Sequence, residues 1–213
     1  MKILLILFFS LLLNTSLVSA DEKPGRFFED QPDVTDEHQI HFIYLLPSDG
    51  EDRELDINGS MEGILEKVNN TMFEATKANK GSGGVGKKYR YDYRKDGKLD
   101  ITFIRTSKNW KELQDKSVNT QMGHYFNQVG GFNNKKKTYF LWTDVDRGNH
   151  GGDAGVGIGG IFVKSNGRSG DVMKHEKDFL NINLHEILHT QLMGIKWLPP
   201  IWLQKSFLRP ERQ

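Results

Sequence analysis

Two histidines four residues apart, with a glutamate directly after the first, are the most chemically loaded residues of the chain: His185-Glu186-Ile187-Leu188-His189. On an α-helix residues four apart share a face, so the two imidazoles can converge on one ion while Glu186 projects beside them. Neutral imidazole nitrogens suit a zinc ion, which polarises a carbonyl and acidifies a water towards a pKa of about 7, and an adjacent carboxylate can take the proton. The spacing makes His185 and His189 the candidate metal ligands, Glu186 the candidate catalytic base, and Zn2+ the expected cofactor. The plain alternative is an accidental pattern on an ordinary amphipathic helix. Context argues against it, because Leu180, Leu184, Ile187 and Leu188 gather on one side of the helical wheel and leave the histidines at the edge of that apolar face.

The elements that must position this helix can be read from periodicity. His41 to Leu46 has the aromatic and β-branched content of a strand, closed by the turn residues Pro47-Ser48-Asp49-Gly50. Apolar residues at Met61, Ile64, Leu65, Val68, Met72 and Ala75 predict a one-sided helix over 61–78, with Ser60 placed to cap it. Tyr89 to Arg94 and Leu99 to Arg105 read as strands of a hairpin turned at Asp96-Gly97. A second helix is predicted from Lys108 to about Gln128, buried strands over Thr138 to Val145 and Gly157 to Lys164, and the metal helix from about Leu180 to Leu192. This order predicts a mixed α/β or α+β domain, a twisted sheet packed on helices, with no internal repeat.

Composition narrows the function class. The chain has 213 residues, no cysteine, and 29 Lys and Arg against 28 Asp and Glu. Residues 1–20 read as an export signal, with Lys2 as the positive start, an apolar core from Ile3 to Leu13, and the small-residue cleavage site Val18-Ser19-Ala20. An uncleaved anchor is the competing reading, but eleven apolar residues are too few to cross a bilayer, so no stable membrane insertion is expected after cleavage. Lys2 is the one charged residue of that segment, so the mature chain from Asp21 carries 28 basic and 28 acidic side chains. That balance argues against a nucleic-acid partner. Export without cysteine leaves His, Asp and Glu for metal chemistry in a secreted or periplasmic protein. Residues 21–37 are acidic with two prolines and are expected to be a weakly ordered lead-in to a single domain over 38–213.

The five residues from His185 to His189 resemble the active-site helix of the zincin metallopeptidases, and the order of helix, strands and metal helix resembles the zincin domain over most of the mature chain. The resemblance implies a zinc-dependent peptidase, an endopeptidase by preference, with a peptide or protein substrate. It also implies that the glycine-rich strand from Gly155 to Val163 is the edge along which an extended peptide would lie. The chain departs from the family after His189. Metzincins place a glycine three residues on and a third histidine three further, where this sequence has Leu192 and Ile195. Gluzincins take a glutamate from a following helix, but Glu211 lies beyond Pro199, Pro200 and Pro210, which disfavour such a helix. Only 24 residues follow His189, fewer than the helical subdomain that closes a zincin cleft, so the chain is either truncated after about Thr190 or a short member of the class. The alternative function is an exported binding protein on a zincin-like scaffold, catalytically impaired by the missing third ligand.

Other motifs read as structure. Gly81 to Lys87 fits the start of a phosphate loop but lacks its Ser or Thr and follows a helix, so it reads as a connector. Gly155 to Gly160 satisfies GxGxxG but precedes a strand, which suits close backbone approach better than a dinucleotide. Asp144, Asp146 and Asp153 around His150 read as a solvated acidic turn, Lys135-Lys136-Lys137 as a solvated turn, and His124 and His175 as surface residues.

Overall fold

The computed structural model describes residues 20–114, 132–147, 151–155, 157–164 and 176–192. In chain order the elements are strand β1 (Gln39–Leu46), helix α1 (Ser60–Ala78), strand β2 (Ile101–Arg105), the short helix α2 (Trp110–Gln114), strands β3 (Lys137–Thr143), β4 (Gly152–Gly155) and β5 (Ile158–Phe162), and helix α3 (Glu176–Leu192). The strands form one sheet in the order β2-β1-β3-β5-β4. β1 runs parallel to β2 and β3, and β3 to β5, while β4 turns back antiparallel on β5 at the edge.

The sequence of β1 explains its central place. All eight residues of QIHFIYLL are buried, as expected of a strand covered on both faces. Alternation then divides the core in two. Ile40, Phe42, Tyr44 and Leu46 join Phe103, Phe140, Trp142 and Ile161 under α1 and α3, meeting Met61, Leu65, Val68, Leu184 and Ile187. On the other face Ile43, Leu45, Ile104, Leu141 and Phe162 pack with Leu113 of α2 and Phe132. The result is an α+β domain, a five-stranded mixed sheet packed with helices, consistent with a zincin-like fold.

Two local expectations change. Ser60 does not cap α1 but lies in its first turn. The residue before it, Gly59, is left-handed at φ 83° and offers no side chain, while Asn58 accepts the Ser60 N–H at 2.9 Å. The Asp96-Gly97 turn forms, with Gly97 at φ 80° and an antiparallel bridge between Tyr93 and Leu99. Its first arm then leaves the hairpin to follow β1, exchanging bonds with Ile40 through the Arg90 carbonyl and the Asp92 N–H, so Tyr89 to Arg94 forms isolated bridges instead of a strand. The helix predicted from Lys108 is present as α2, and its continuation towards Gln128 lies outside the described residues.

The acidic segment before β1 is held by charge. Arg26, with a fully buried side chain, donates to Asp52 and Asp56 and lies 3.9 Å over the Phe103 ring. Asp21 pairs with Arg105 at 2.7 Å, and Phe27 bridges to Thr102 of β2. Among the described residues no helix is long and apolar enough to cross a membrane; residues 1–19 lie outside them.

Candidate active site

Helix α3 lies across β4 and β5, and one buried polar anchor fixes its rotation. The Asn183 side chain, fully buried, accepts the Trp142 indole N–H at 3.1 Å and donates to the Phe179 carbonyl at 2.9 Å, while Trp142 and Phe179 meet edge to face. With Asn183, Leu184 and Ile187 turned into the sheet, helical spacing leaves His185 and His189 exposed on the outer side. Asn183→Ala is expected to cost about 1–3 kcal/mol, because it strands the buried indole N–H. Urea unfolding checks this, and an unchanged midpoint would mean that the anchor is dispensable.

The two imidazole rings stand side by side, centroids 4.3 Å apart and tilted by 34°. Rings this close share one face of the helix, as two ligands of one ion four residues apart must. Although the residue is exposed overall, partial desolvation of its ring, then the neighbouring charge of His189, holds the His185 imidazole below its ordinary pKa, which favours the neutral, ligating form. Glu186 is half-buried between the helix and β4. Burial first, and the nearby Asp153 second, push its carboxyl up to about 7. Asp153 itself pairs with Arg147, whose guanidinium lies over Phe162.

The strand beside the site differs from expectation. The segment from Gly155 to Val163 is not the edge, because β5 is paired on both sides, by β3 and β4. The edge is β4, and by alternation Gly152 and Ala154 turn towards α3 while Asp153 and Gly155 turn away. The glycines do serve close approach: a side chain on Gly159 would strike the Thr190 hydroxyl, and one on Gly152 would strike Glu186. Gly81 to Gly86 is an exposed connector opening with a 3-10 turn at Lys80–Ser82. His124, His150 and His175, Leu192 as a side chain, and Ile195 to Glu211 lie outside the described residues.

A second group with ligand chemistry occupies the opposite face of the sheet. Asp30, His41, Asp92 and Asp100 bring one ligand atom each to within 4.8 Å of one another. The group has its own cation, however. Lys137, whose side chain is 1% exposed, places Nζ 2.6 Å from each of Asp30, Asp33 and Asp92, using all three donors. Those hydrogen bonds raise its pKa in spite of burial, which works to lower it. His41 completes the network, Nδ1 2.9 Å from Asp92 and Nε2 2.9 Å from Thr102. The reading of Lys135-Lys136-Lys137 as a solvated turn is corrected here: Lys137 opens β3 and turns inward. Asp144 is likewise buried, taking hydrogen bonds from Arg53 and Tyr44, and is no part of a solvated turn. Neither inward charge has a sequence signature, since the partners are up to 107 residues away.

The cluster carries more negative charge than Lys137 balances, and Asp100 shows it. Burial pushes its carboxyl up to about 6, against the pull of His41 and the Gln31 N–H, with Asp92 and Asp30 adding to the rise. The folded pKa exceeds the unfolded one, so protonation stabilises the fold below about pH 4 and that stabilisation is lost as pH rises through 6. Asp100→Asn is therefore expected to gain about 1–2 kcal/mol at pH 8, and progressively less below pH 6, in urea unfolding. A pH-independent difference would contradict this account.

No family model matches the chain, and no curated protein matches it. Among solved structures, wild-type OgpA from Akkermansia muciniphila in the P 21 21 21 crystal form superposes with a TM-score of 0.50 at 11% identity, over 81% of this chain and 52% of OgpA. Its P 41 21 2 form gives 0.46 at 12% identity, over 76% and 50%. A catalytically inactive OgpA in complex with an O-glycopeptide (glycodrosocin) substrate gives 0.40 at 10% identity, over 54% and 32%. At these identities the likeness is one of fold, and the chain spans about half the length of OgpA.

Proposed function

We propose that this chain is an exported zinc metallopeptidase in which His185 and His189 hold the metal and Glu186 is the general base. The observation that carries the reading is the pair of exposed, adjacent imidazoles with a half-buried carboxylate beside them, all presented by one helix next to an open sheet edge. Zinc, when bound, supplies a Lewis acid that polarises the scissile carbonyl and acidifies water. Glu186 takes the proton of the attacking water and returns it to the leaving amine. His185 and His189 are held apart from the core by the Asn183 anchor, and β4, the edge strand among the described residues, is where an extended peptide would pair.

The test is a zinc titration of the chain beginning at Asp21, together with chelator-sensitive hydrolysis of a generic protein substrate. With two protein ligands, zinc binding is expected to be weak and to vanish in His189→Ala, while excess zinc supports cleavage. Tight stoichiometric binding lost in Glu211→Ala would overturn the two-ligand site and make Glu211 the third ligand. Peptide binding without turnover at saturating zinc would favour the binding-protein alternative.

A further inference from the structure

One glycine of β4 approaches Glu186 of α3, and one of β5 approaches Thr190, which is hydrogen-bonded to it. A Cβ built on Gly152 would stand 2.6 Å from Glu186 Cγ and 3.1 Å from its Cδ. A Cβ on Gly159 would meet the Thr190 hydroxyl, which itself donates to the Glu186 carbonyl at 2.6 Å. The edge strand therefore touches the glutamate's side chain directly, and its neighbour holds the glutamate's main chain through Thr190. Backbone conformation does not explain Gly152, which is absent from the positive-φ residues that include Gly157. Glycine inside a strand also costs stability relative to a residue with a side chain. What remains is space, and the space is filled by the Glu186 side chain on one side and the Gly160 carbonyl oxygen on the other.

We propose that Gly152 is a positioning residue for Glu186: the bare β4 main chain is the wall against which the glutamate side chain is seated beside the two histidines. The inference rests on the reading of Glu186 as the base. It extends that reading by assigning the seat to the edge strand and not to the helix alone. A carboxylate on a free helical surface samples several rotamers, whereas one packed against main chain is restricted to those that lie along it. A side chain at 152 would lift Glu186 out of register with the histidines.

A purely structural role must be separated, because a Cβ on Gly152 would also stand 2.6 Å from the Gly160 carbonyl oxygen. Gly160→Ala is the comparator: its Cβ would crowd the Leu141 carbonyl at 2.5 Å, straining the same sheet away from Glu186. At saturating zinc and a temperature where all variants are folded, Gly152→Ala is expected to lower kcat by roughly 10- to 100-fold, with KM and zinc affinity within about twofold of wild type. Gly160→Ala should keep kcat within about threefold and lose only thermal stability. A kcat unchanged in Gly152→Ala, a change confined to KM or zinc affinity, or an equal loss in Gly160→Ala overturns the inference while leaving the peptidase reading intact.

Thermal unfolding of a double-mutant cycle tests the contact without any activity. Gly152→Ala should lower Tm by several degrees with Glu186 present and by less than half as much in the Glu186→Ala background, since the crowding partner is gone. If Gly152→Ala fails to fold, the double variant should recover a cooperative transition. Equal losses in both backgrounds, or no recovery, overturn the inference. An inactive wild type with a positive cycle would leave the seat in place and sink the catalytic reading alone.

Discussion

Glu186→Gln, assayed at saturating zinc, is expected to lose about a thousandfold in kcat against a generic protein substrate and to keep zinc affinity within a few-fold of wild type. A positioned general base contributes on the order of 100- to 10,000-fold, so the loss corresponds to about 4 kcal/mol of transition-state stabilisation. The substitution is near-isosteric. Gln fits the same seat between α3 and Gly152 and removes only the ability to take a proton, so a fall in rate cannot be ascribed to displaced packing. His185 and His189 lie on the exposed side, outside that seat, so the metal should stay. Full activity in Glu186→Gln would eliminate the mechanism, whatever metal is present. Equal peptide affinity in the two proteins with turnover in neither would leave the binding-protein reading standing.

How far the site could be read from sequence follows from the range of the interactions that build it. The metal-helix pattern is local: His185, Glu186 and His189 are set by one helical turn, and the flanking Leu184 and Ile187 bury as their spacing requires. The strands at Gln39–Leu46 and Lys137–Thr143 are legible for the same reason, since runs of buried aromatic and branched residues need no partner to be recognised, and Ile158–Phe162 is legible as an apolar run after a glycine-rich loop. Strand order was not legible. β4 is Gly-Asp-Ala-Gly, with no strand propensity of its own, and exists because β5 and α3 supply its hydrogen bonds and its cover. Hence the sequence points to an edge one strand too late and carries no signal for Gly152. Buried charge is least legible of all, because Lys137 reads as part of a solvated turn until its ion pair with Asp92, 45 residues away in the chain, turns it inward.

That buried charge sets the last expectation, Lys137→Met, which should cost about 3 kcal/mol of stability at pH 7. Methionine fills the volume of the lysine stem, so little packing is lost; what is lost is the cation between Asp30, Asp33 and Asp92. Breaking a buried ion pair from one side typically costs about 3–5 kcal/mol, because the remaining charge is left uncompensated. The lower end applies here, since Asp30 and Asp33 keep 20% and 35% of their side-chain surface and can turn to water, whereas Asp92 at 1% cannot. Asp92 is the source of the penalty. In the wild type its carboxyl is held below its ordinary pKa by His41 and Lys137, against the opposing effect of burial. Its contribution is therefore present at neutral pH and fades on acidification. Removing Lys137 raises that pKa, so the deficit of Lys137→Met should be largest at pH 7 and shrink towards pH 4. Adding Asp92→Asn, which removes the stranded charge, should recover part of the loss at pH 7 and little at pH 4. Urea unfolding of the three variants across that range decides the matter: a Lys137→Met protein within about 1 kcal/mol of wild type at pH 7 would show that water, not the lysine, compensates these carboxylates. Zinc affinity of the folded variant should be unaffected, because the cluster lies on the sheet face opposite α3.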